Sequence, residues 1–309
     1  MRRKIPSTQA LACFEAAARH ESYTRAAQEL ALTQSAVSRQ ILALESFVGV
    51  ALFRRTRHGV SLTPAGAHYA RQVALRLQAL EHDALDIMGG QGAGGSLTLA
   101  AVPTFATRWL IPRLPGFQRA HPDIVVHIEP RTRPFLFAET GFDAALYAGT
   151  PAQLTNWPGT EATRLIDEDV VPVCSPALLP AEPAQCTLDL LASLPLIQQS
   201  TRPDAWRRWF RAAGLEAARA MQGPRYELFS MLAMAATHGM GVALIPPMLI
   251  EAELARGELV IAYPLPLRGE RAYYLVTPAS GETEPPALAL LRRWICDAAA
   301  SSVGAAALG

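Results

Sequence analysis

The stretch that most constrains this chain is residues 24–48, TRAAQELALTQSAVSRQILALESFV. It reads as two short helices joined by a corner at Ala31-Leu32, too close in sequence to do anything but pack on each other. Ala26 and Ala27 are small, so a neighbouring helix can approach the side on which Leu30 faces inward. Thr33 is a good N-cap, because its hydroxyl can accept an N–H of the first turn of the second helix. In that helix Val37, Ile41 and Leu44 recur at four and three residues and form an apolar stripe. Gln34, Ser35, Ser38 and Arg39 fall on the opposite side. Amide, hydroxyl and guanidinium groups on one helix face suit the edges of bases in a major groove. Read alone, the stretch fits an ordinary amphipathic helical hairpin with a solvated face equally well.

Its neighbours shift that balance. Residues 7–19 predict an Ala-rich helix with Leu11 and Phe14 facing inward. After Val48, Gly49 stops the helix. In ALFRRTRHGVSLTPAG, Leu52-Phe53 read as buried, Arg54, Arg55 and Arg57 as projecting, and His58-Gly59 as the turn of a short β-hairpin. This is the wing of a winged helix-turn-helix, and its basic tip suits phosphate or the minor groove better than plain solvent. Arg25 and Thr33 join Gln34, Ser35, Ser38, Arg39 and the three wing arginines as DNA-binding candidates. Charge agrees: residues 1–66 hold nine Arg or Lys against four Glu, whereas the whole chain carries only +1. A basic head on a mildly acidic body fits a polyanion-binding module.

Thr63-Pro64 starts the next helix well, Thr as cap and Pro at the first helical position. It is expected to run to about Met88. Ala70, Val73, Leu77, Leu80, Ala84 and Ile87 are spaced 3, 4, 3, 4, 3, a heptad seam. So narrow a stripe predicts pairing with a second copy; burial against its own chain would call for a wider apolar face. A dimer would present two heads about a twofold axis, as half-site recognition requires. GGQGAGG, residues 89–95, reads as a flexible hinge and is poorly placed for a phosphate-cradling loop.

From Ser96 strands alternate with helices, which predicts an α/β body with mainly parallel sheets and ligands at the carboxyl ends of strands. Its strands are expected at 96–102, 123–129, 142–148, 170–175, 195–199, 225–229, 242–246, 259–265 and 272–278, and its last helix at 285–298. About 210 residues are large for one sheet, so two lobes with a cleft are expected. The division is residues 1–63 as DNA-binding domain, 64–88 as dimerising linker helix, 89–95 as hinge and 96–300 as the two-lobed body. Within the last, lobe I takes about 96–163 and 267–300 and lobe II about 164–266; residues 301–309 are expected to be a flexible tail.

Other classes find little support. Cys13, Cys174, Cys186 and Cys296 are scattered without metal or disulfide spacing, which points to a reducing cytoplasm. No signal-peptide core and no membrane-length apolar run is present. GxSxG, HExxH and a suitable Cys/His pair are missing, and Asp167, Glu168 and Asp169 sit side by side without converging on a substrate. No catalytic or metal-binding residue and no cofactor is assigned. The rival is a cytoplasmic small-molecule-binding protein or enzyme without DNA binding, against which the basic head counts.

The residues SYTRAAQELALTQSAVSRQILALE and ALFRRTRHGVSLTPAG resemble the signature of the LysR-type transcriptional regulators, and the resemblance extends over essentially the whole chain. FEAAARH (14–20), VPTFATRWLIPRL (102–114), VPVCSPALL (171–179), RPDAWRRWFRAAGL (202–215), HGMGVALIP (238–246) and YYLVTP (273–278) look most like the glycine-cleavage activator and β-lactamase regulator branch. The resemblance implies a two-lobed effector domain similar to periplasmic binding proteins and a dimer of dimers on an interrupted DNA dyad. It also implies an inducer between the lobes and contact with RNA polymerase. Carried over by position, Gln34, Ser35, Ser38 and Arg39 match the recognition helix, Arg55 and Arg57 the wing, and Thr104 the hydroxyl after the first effector strand. Asp143 and Tyr274 align with cleft residues. Leu146-Tyr147 departs from the basic or aromatic residue of the β-lactamase branch, so cell-wall muropeptides are not implied.

The residues themselves support part of that cleft. Thr104 would set a hydroxyl beside helix N–H groups, a natural carboxylate site. Gln199, Ser200, Thr201 and Arg202 follow a strand and precede a helix, so they can face Thr104, with Arg202 as an anion clamp. Ser200 or Thr201 fits equally as the cap of the helix beginning near Asp204. Phe105 and Phe229 are candidates for the lining, although core packing is their commoner role, as it is for Trp206 and Trp209. A non-covalent, anionic small molecule is the expected effector.

Overall fold

The computed structural model describes residues 5–56, 59–88, 95–180, 186–279 and 284–306. It divides into two compact units, residues 1–92 with 135–141, and residues 93–134 with 142–309.

In the first unit, α1 (Thr8–His20), α2 (Tyr23–Glu29) and α3 (Gln34–Val48) are each capped by a hydroxyl: Ser7 accepts from Ala10 N–H at 3.2 Å, Ser22 from Arg25 at 3.3 Å and Thr33 from Ala36 at 3.2 Å. The corner between α2 and α3 is tight enough to hold Ala31 at φ 52°, a strained value for a residue with a Cβ. Phe14, Ala16, Ala17, Ala26, Val37, Ile41 and Leu44 form the core of the three helices. Strands β1 (Phe53–Thr56) and β2 (Gly59–Leu62) pair antiparallel, and Glu45 on α3 holds the root of this wing by accepting the N–H groups of Leu52 at 2.7 Å and Phe53 at 3.0 Å.

Helix α4 (Pro64–Met88) follows directly. Thr63 caps it, accepting from Gly66 N–H at 2.9 Å while donating to the Ala51 carbonyl at 2.9 Å. Gly66 is required there: a Cβ at that position would lie 2.0 Å from the carbonyl oxygen of Leu52. The heptad seam does not serve a single purpose. Val73 is 4% exposed and buried in the three-helix core, Ala70 and Leu77 pack against the same core, and Tyr69 stacks on Phe14 at 5.5 Å. Leu80 is 54% exposed and Ala84 is exposed; the side chain of Ile87 lies outside the described residues. The first half of the stripe thus packs against its own chain, with Val73 buried, which corrects the expectation that all six residues are available for pairing. The rest of the hinge at 89–95 lies outside the described residues, apart from Gly95.

The second unit contains two five-stranded mixed sheets. Lobe I has strand order β4-β3-β5-β12-β6, from β3 (Ser96–Ala101), β4 (Val125–Pro130), β5 (Ala144–Gly149), β6 (Thr160–Asp167) and β12 (Ala272–Pro278). Lobe II has the order β11-β7-β10-β8-β9, from β7 (Val171–Cys174), β8 (Leu196–Gln199), β9 (Arg225–Tyr226), β10 (Val242–Ile245) and β11 (Val260–Ile261). Among the described residues, β3–β4, β3–β5, β8–β9 and β8–β10 are the parallel pairs; β12 and β7 run against their neighbours. The expected mainly parallel sheets are therefore mixed. The chain crosses between lobes at 168–170 and returns at 267–271, and each crossing sets a strand against the direction of its neighbours. Strand β6 was not anticipated, and it carries the lobe I sheet on to Asp167, past the expected limit near residue 163.

Between the strands lie α5 (Pro103–Phe105), a π-helical turn at Ala106–Leu110, α6 (Leu114–Ala120), α7 (Pro151–Leu154), α8 (Leu188–Ser193), α9 (Ala205–Ala212), α10 (Phe229–Thr237) and α11 (Glu251–Ala255), and α12 (Pro286–Ala306) follows the last of them. Residues 301–306, expected to belong to a flexible tail, continue α12, and Ser302 Oγ accepts the Trp109 indole N–H at 3.2 Å. The start of the tail was read from its Ala/Ser/Gly composition, but alanine and serine also extend a helix that packing has already nucleated. Trp206, Trp209 and Phe210 of α9 fill the lobe II core, and Trp209 Nε1 donates to the Leu265 carbonyl at 2.8 Å. Two ion pairs tie the lobes: Arg108 with Glu253, and Arg113 with Glu251 at 3.0 Å.

Candidate functional sites

On α3, Gln34, Ser35 and Arg39 are exposed on the face opposite Val37, Ile41 and Leu44, with Ser38 half-buried beside them. Thr33 is exposed, but its hydroxyl already caps the helix and lies 3.1 Å from the Ser35 hydroxyl. Arg25 of α2 is also exposed. On the wing, Arg54 and Arg55 are exposed, and Arg54 Nε donates across the hairpin to Ser61 Oγ at 2.8 Å, which orients its guanidinium. Arg57 lies outside the described residues. The arrangement places donors and acceptors along one helix face and fixed positive charge on an adjoining hairpin.

In the second unit, a cavity of about 110 Å³ opens between the lobes. Lobe I contributes Val102, Thr104, Phe105, Thr132, Ala148 and Tyr273; lobe II contributes Gln199, Thr201, Arg202, Glu227, Leu228 and Phe229; the two crossings contribute Glu168 and Arg271. Against the roughly 300–1,000 Å³ of drug-sized sites, this suits a small molecule.

Thr104 spans the cleft. Its hydroxyl accepts the backbone N–H of Ser230 at 3.2 Å, in the first turn of α10, and lies 3.4 Å from the Ser230 hydroxyl. Gln199 is 7% exposed and donates to the Glu227 carbonyl at 3.3 Å. Phe229 lies under the Arg202 guanidinium, 5.0 Å from the ring centre. Phe105 is fully buried in a stack between Trp109 at 4.6 Å and Tyr273 at 4.3 Å, so it forms the floor of the cavity and part of the core at once.

Other candidates are placed differently. Tyr274 points to the opposite face of β12, and Tyr273 is the tyrosine that lines the cavity, because neighbouring strand residues alternate faces. Burial first, and then the nearby Glu168 carboxylate, push the Tyr273 phenol well above the ordinary tyrosine value. Ser200 is exposed, donates its N–H to the Tyr226 carbonyl at 2.9 Å and does not line the cavity. Neither Ser200 nor Thr201 caps α9, whose N-cap is Asp204; Thr201 Oγ1 instead accepts from Arg202 Nη1 at 2.6 Å. Arg202 is not an open anion clamp. Its Nε and Nη2 both donate to Glu168, the former at 2.5 Å.

Asp143 also lies outside the cavity. It precedes β5, at the end of the parallel β3–β5 pair remote from Thr104, and its carboxylate accepts the Thr98 N–H at 2.7 Å. Burial raises its pKa, with the Thr98 hydrogen bond acting in the opposite direction. Since the folded state holds this proton more tightly than the unfolded chain, the stabilisation is fully present below the ordinary aspartate value, about 3.9, and is lost as pH rises through the folded value. Asp143→Asn keeps an acceptor for Thr98 without the buried charge. It is expected to raise Tm at pH 7 and to leave it unchanged at pH 3. A lower Tm at pH 7 would show that the carboxylate charge itself stabilises the β3–β5 junction.

Sequence reasoning missed Glu168, Arg271, Tyr273, Ser230, Thr132 and Glu227. In the sequence Glu168 is one of three adjacent acids, yet its side chain is only 2% exposed and it pairs with Arg202 and, at 3.1 Å, with Arg271. A charged residue flanked by two others at the end of a strand is the one signal that could have marked it.

Comparison with known proteins covers both units. Residues 8–67 match the family model described as bacterial regulatory helix-turn-helix protein, lysR family, and residues 90–300 match the LysR substrate binding domain. The glycine cleavage system transcriptional activator of Escherichia coli (strain K12) is 38% identical over 301 residues, 97% of this chain and 96% of that protein. The HTH-type transcriptional activator AmpR of Citrobacter koseri is 34% identical over 302 residues, 96% and 99% of the respective chains. Among solved structures, the effector domain of AmpR of Pseudomonas aeruginosa is similar with a TM-score of 0.58 and 30% identity, covering 67% of this chain and 97% of that one.

Proposed function

This chain belongs to the LysR family of transcriptional regulators, and from that premise we propose that it reads an interrupted DNA dyad under the control of a small ligand held between its lobes. The family and the relatives it resembles are regulators, not enzymes. The reading helix is α3, with Gln34, Ser35, Ser38 and Arg39 at base edges and Arg25, Arg54, Arg55 and Arg57 on phosphate or the minor groove. The chain acts as a homodimer, and as a homotetramer on the full dyad, with Leu80, Ala84 and Ile87 of α4 as the pairing seam. RNA polymerase is the partner on the promoter, and the cytoplasm is the setting.

The observation that carries the ligand reading is the Thr104–Ser230 bridge beside a small cavity that Thr104 itself lines. A molecule that replaces this bond contacts both lobes at once and so changes how they are held. A small carboxylate fits: it can accept from the Thr104 and Ser230 hydroxyls and from the first turn of α10. Phe105, Gln199, Thr201 and Phe229 supply the remaining contacts.

The test is gel shift with the DNA upstream of the gene, in the presence and absence of small monocarboxylates and amino acids. Salt-sensitive, dyad-specific binding is expected, altered by the active compound. Thr104→Val should abolish that response while leaving DNA affinity within about twofold, a change of ~0.4 kcal/mol or less. An unchanged response would remove Thr104 from the site, and absence of dyad-specific binding would sink the DNA-reading assignment.

A further inference from the structure

We propose that Glu168 is a resident counter-anion that occupies the Arg202–Arg271 pair and so restricts the cavity to ligands with a single carboxylate. This rests on the reading of the cavity as a ligand site.

Glu168 lies where the chain first crosses between the lobes, and its side chain is 2% exposed. Arg202 presents its Nε and Nη2 edge to the carboxylate, and its Nη1 is held by Thr201. Arg271, at the second crossing, gives Nε to the same carboxylate at 3.1 Å, Nη1 to Gln153 at 3.3 Å and Nη2 to the Ala148 carbonyl at 3.0 Å. The guanidinium edge best suited to a bidentate carboxylate is therefore engaged within the protein. A ligand cannot simply displace Glu168, because an unpaired buried carboxylate is strongly unfavourable.

Charge balance gives the selectivity. Two guanidinium groups and one carboxylate leave one positive charge in the cluster. A ligand with one carboxylate brings the buried total to zero. A dicarboxylate brings it to minus one, with its second group facing Glu168 and no cation left to meet it. Glu227 also lines the cavity, but it is exposed, so solvent screens its charge and it stays outside this balance.

The experiment uses the full chain and two probes, acetate and malonate, each compared with chloride at matched ionic strength. Thermal unfolding is followed by tryptophan fluorescence. Wild type is expected to show no malonate stabilisation. Glu168→Gln keeps the side-chain shape and leaves the guanidinium pair without its counter-anion. It is expected to gain a saturable rise in Tm with malonate, with apparent affinity at least tenfold above wild type. If Glu168→Gln does not fold, Glu168→Met, which also removes the charge at similar side-chain length, supplies the comparison. Equal malonate stabilisation of wild type and variant overturns the proposal, as does malonate stabilisation of neither. Acetate separates the two readings. A malonate gain confined to the variant, with no monocarboxylate affecting wild type in this assay or in gel shift, upholds the counter-anion and removes the effector assignment of the cavity.

Discussion

Gly66→Ala is expected to destabilise the DNA-binding unit by about 3 kcal/mol, at the upper end of the usual cost of forcing extra volume into a packed position. The added Cβ would stand 2.0 Å from the Leu52 carbonyl oxygen, which is backbone and cannot swing aside as a side-chain tip would. That carbonyl also accepts the Thr63 N–H at 2.9 Å. The root of the wing, the cap of α4 and the first turn of the helix must therefore move together. The chain offers a selective readout, because its five tryptophans, Trp109, Trp157, Trp206, Trp209 and Trp294, all belong to the second unit. Far-UV circular dichroism should show an early loss of helix, while the tryptophan fluorescence transition stays at its wild-type temperature. Coincident, unshifted transitions by both probes would mean that α4 accommodates the methyl group.

Arg39→Ala is expected to weaken binding to the specific dyad by ~1–3 kcal/mol, or roughly 5- to 150-fold, with little change on unrelated DNA. Arg39 is exposed on the α3 face opposite its buried stripe, so its removal leaves the core intact. Competition gel shift with specific and scrambled duplexes at fixed salt separates the possibilities. An equal loss on both would assign Arg39 to phosphate, where it positions the helix without reading sequence.

Local chemistry was legible from residue order. Thr33 caps α3, Gly49 ends it with φ 75°, and Thr63-Pro64 opens α4. Each depends on residues within a few positions of one another. The apolar period of α4 was also legible, but period alone does not say which surface covers a stripe. Ala70, Val73 and Leu77 met the three-helix core first, so a charge at Leu77 would strike the head itself as well as any pairing. In the candidate ligand site, Thr104, Gln199 and Thr201 were found because a hydroxyl or amide beside a strand end is a local pattern. Glu168–Arg271 and Thr104–Ser230 join residues 103 and 126 positions apart, and no spacing announces such pairs. Tyr274 failed for a different reason. Two adjacent tyrosines on one strand face opposite ways, and the register of β12 against β6 shifts between them, so one position separates the cavity from the far side of the sheet.

Because α4 grows out of the wing and shares about its first four turns with the three-helix core, the reading head and the start of its linker behave as a single stiff part. Two such parts joined through the remaining turns would form a calliper of set span, with little compliance at either jaw. One base pair inserted between half-sites turns the second by roughly 35° about the duplex axis. A flexible tether would absorb that rotation, whereas in the proposed dimer the duplex would have to twist to meet the protein.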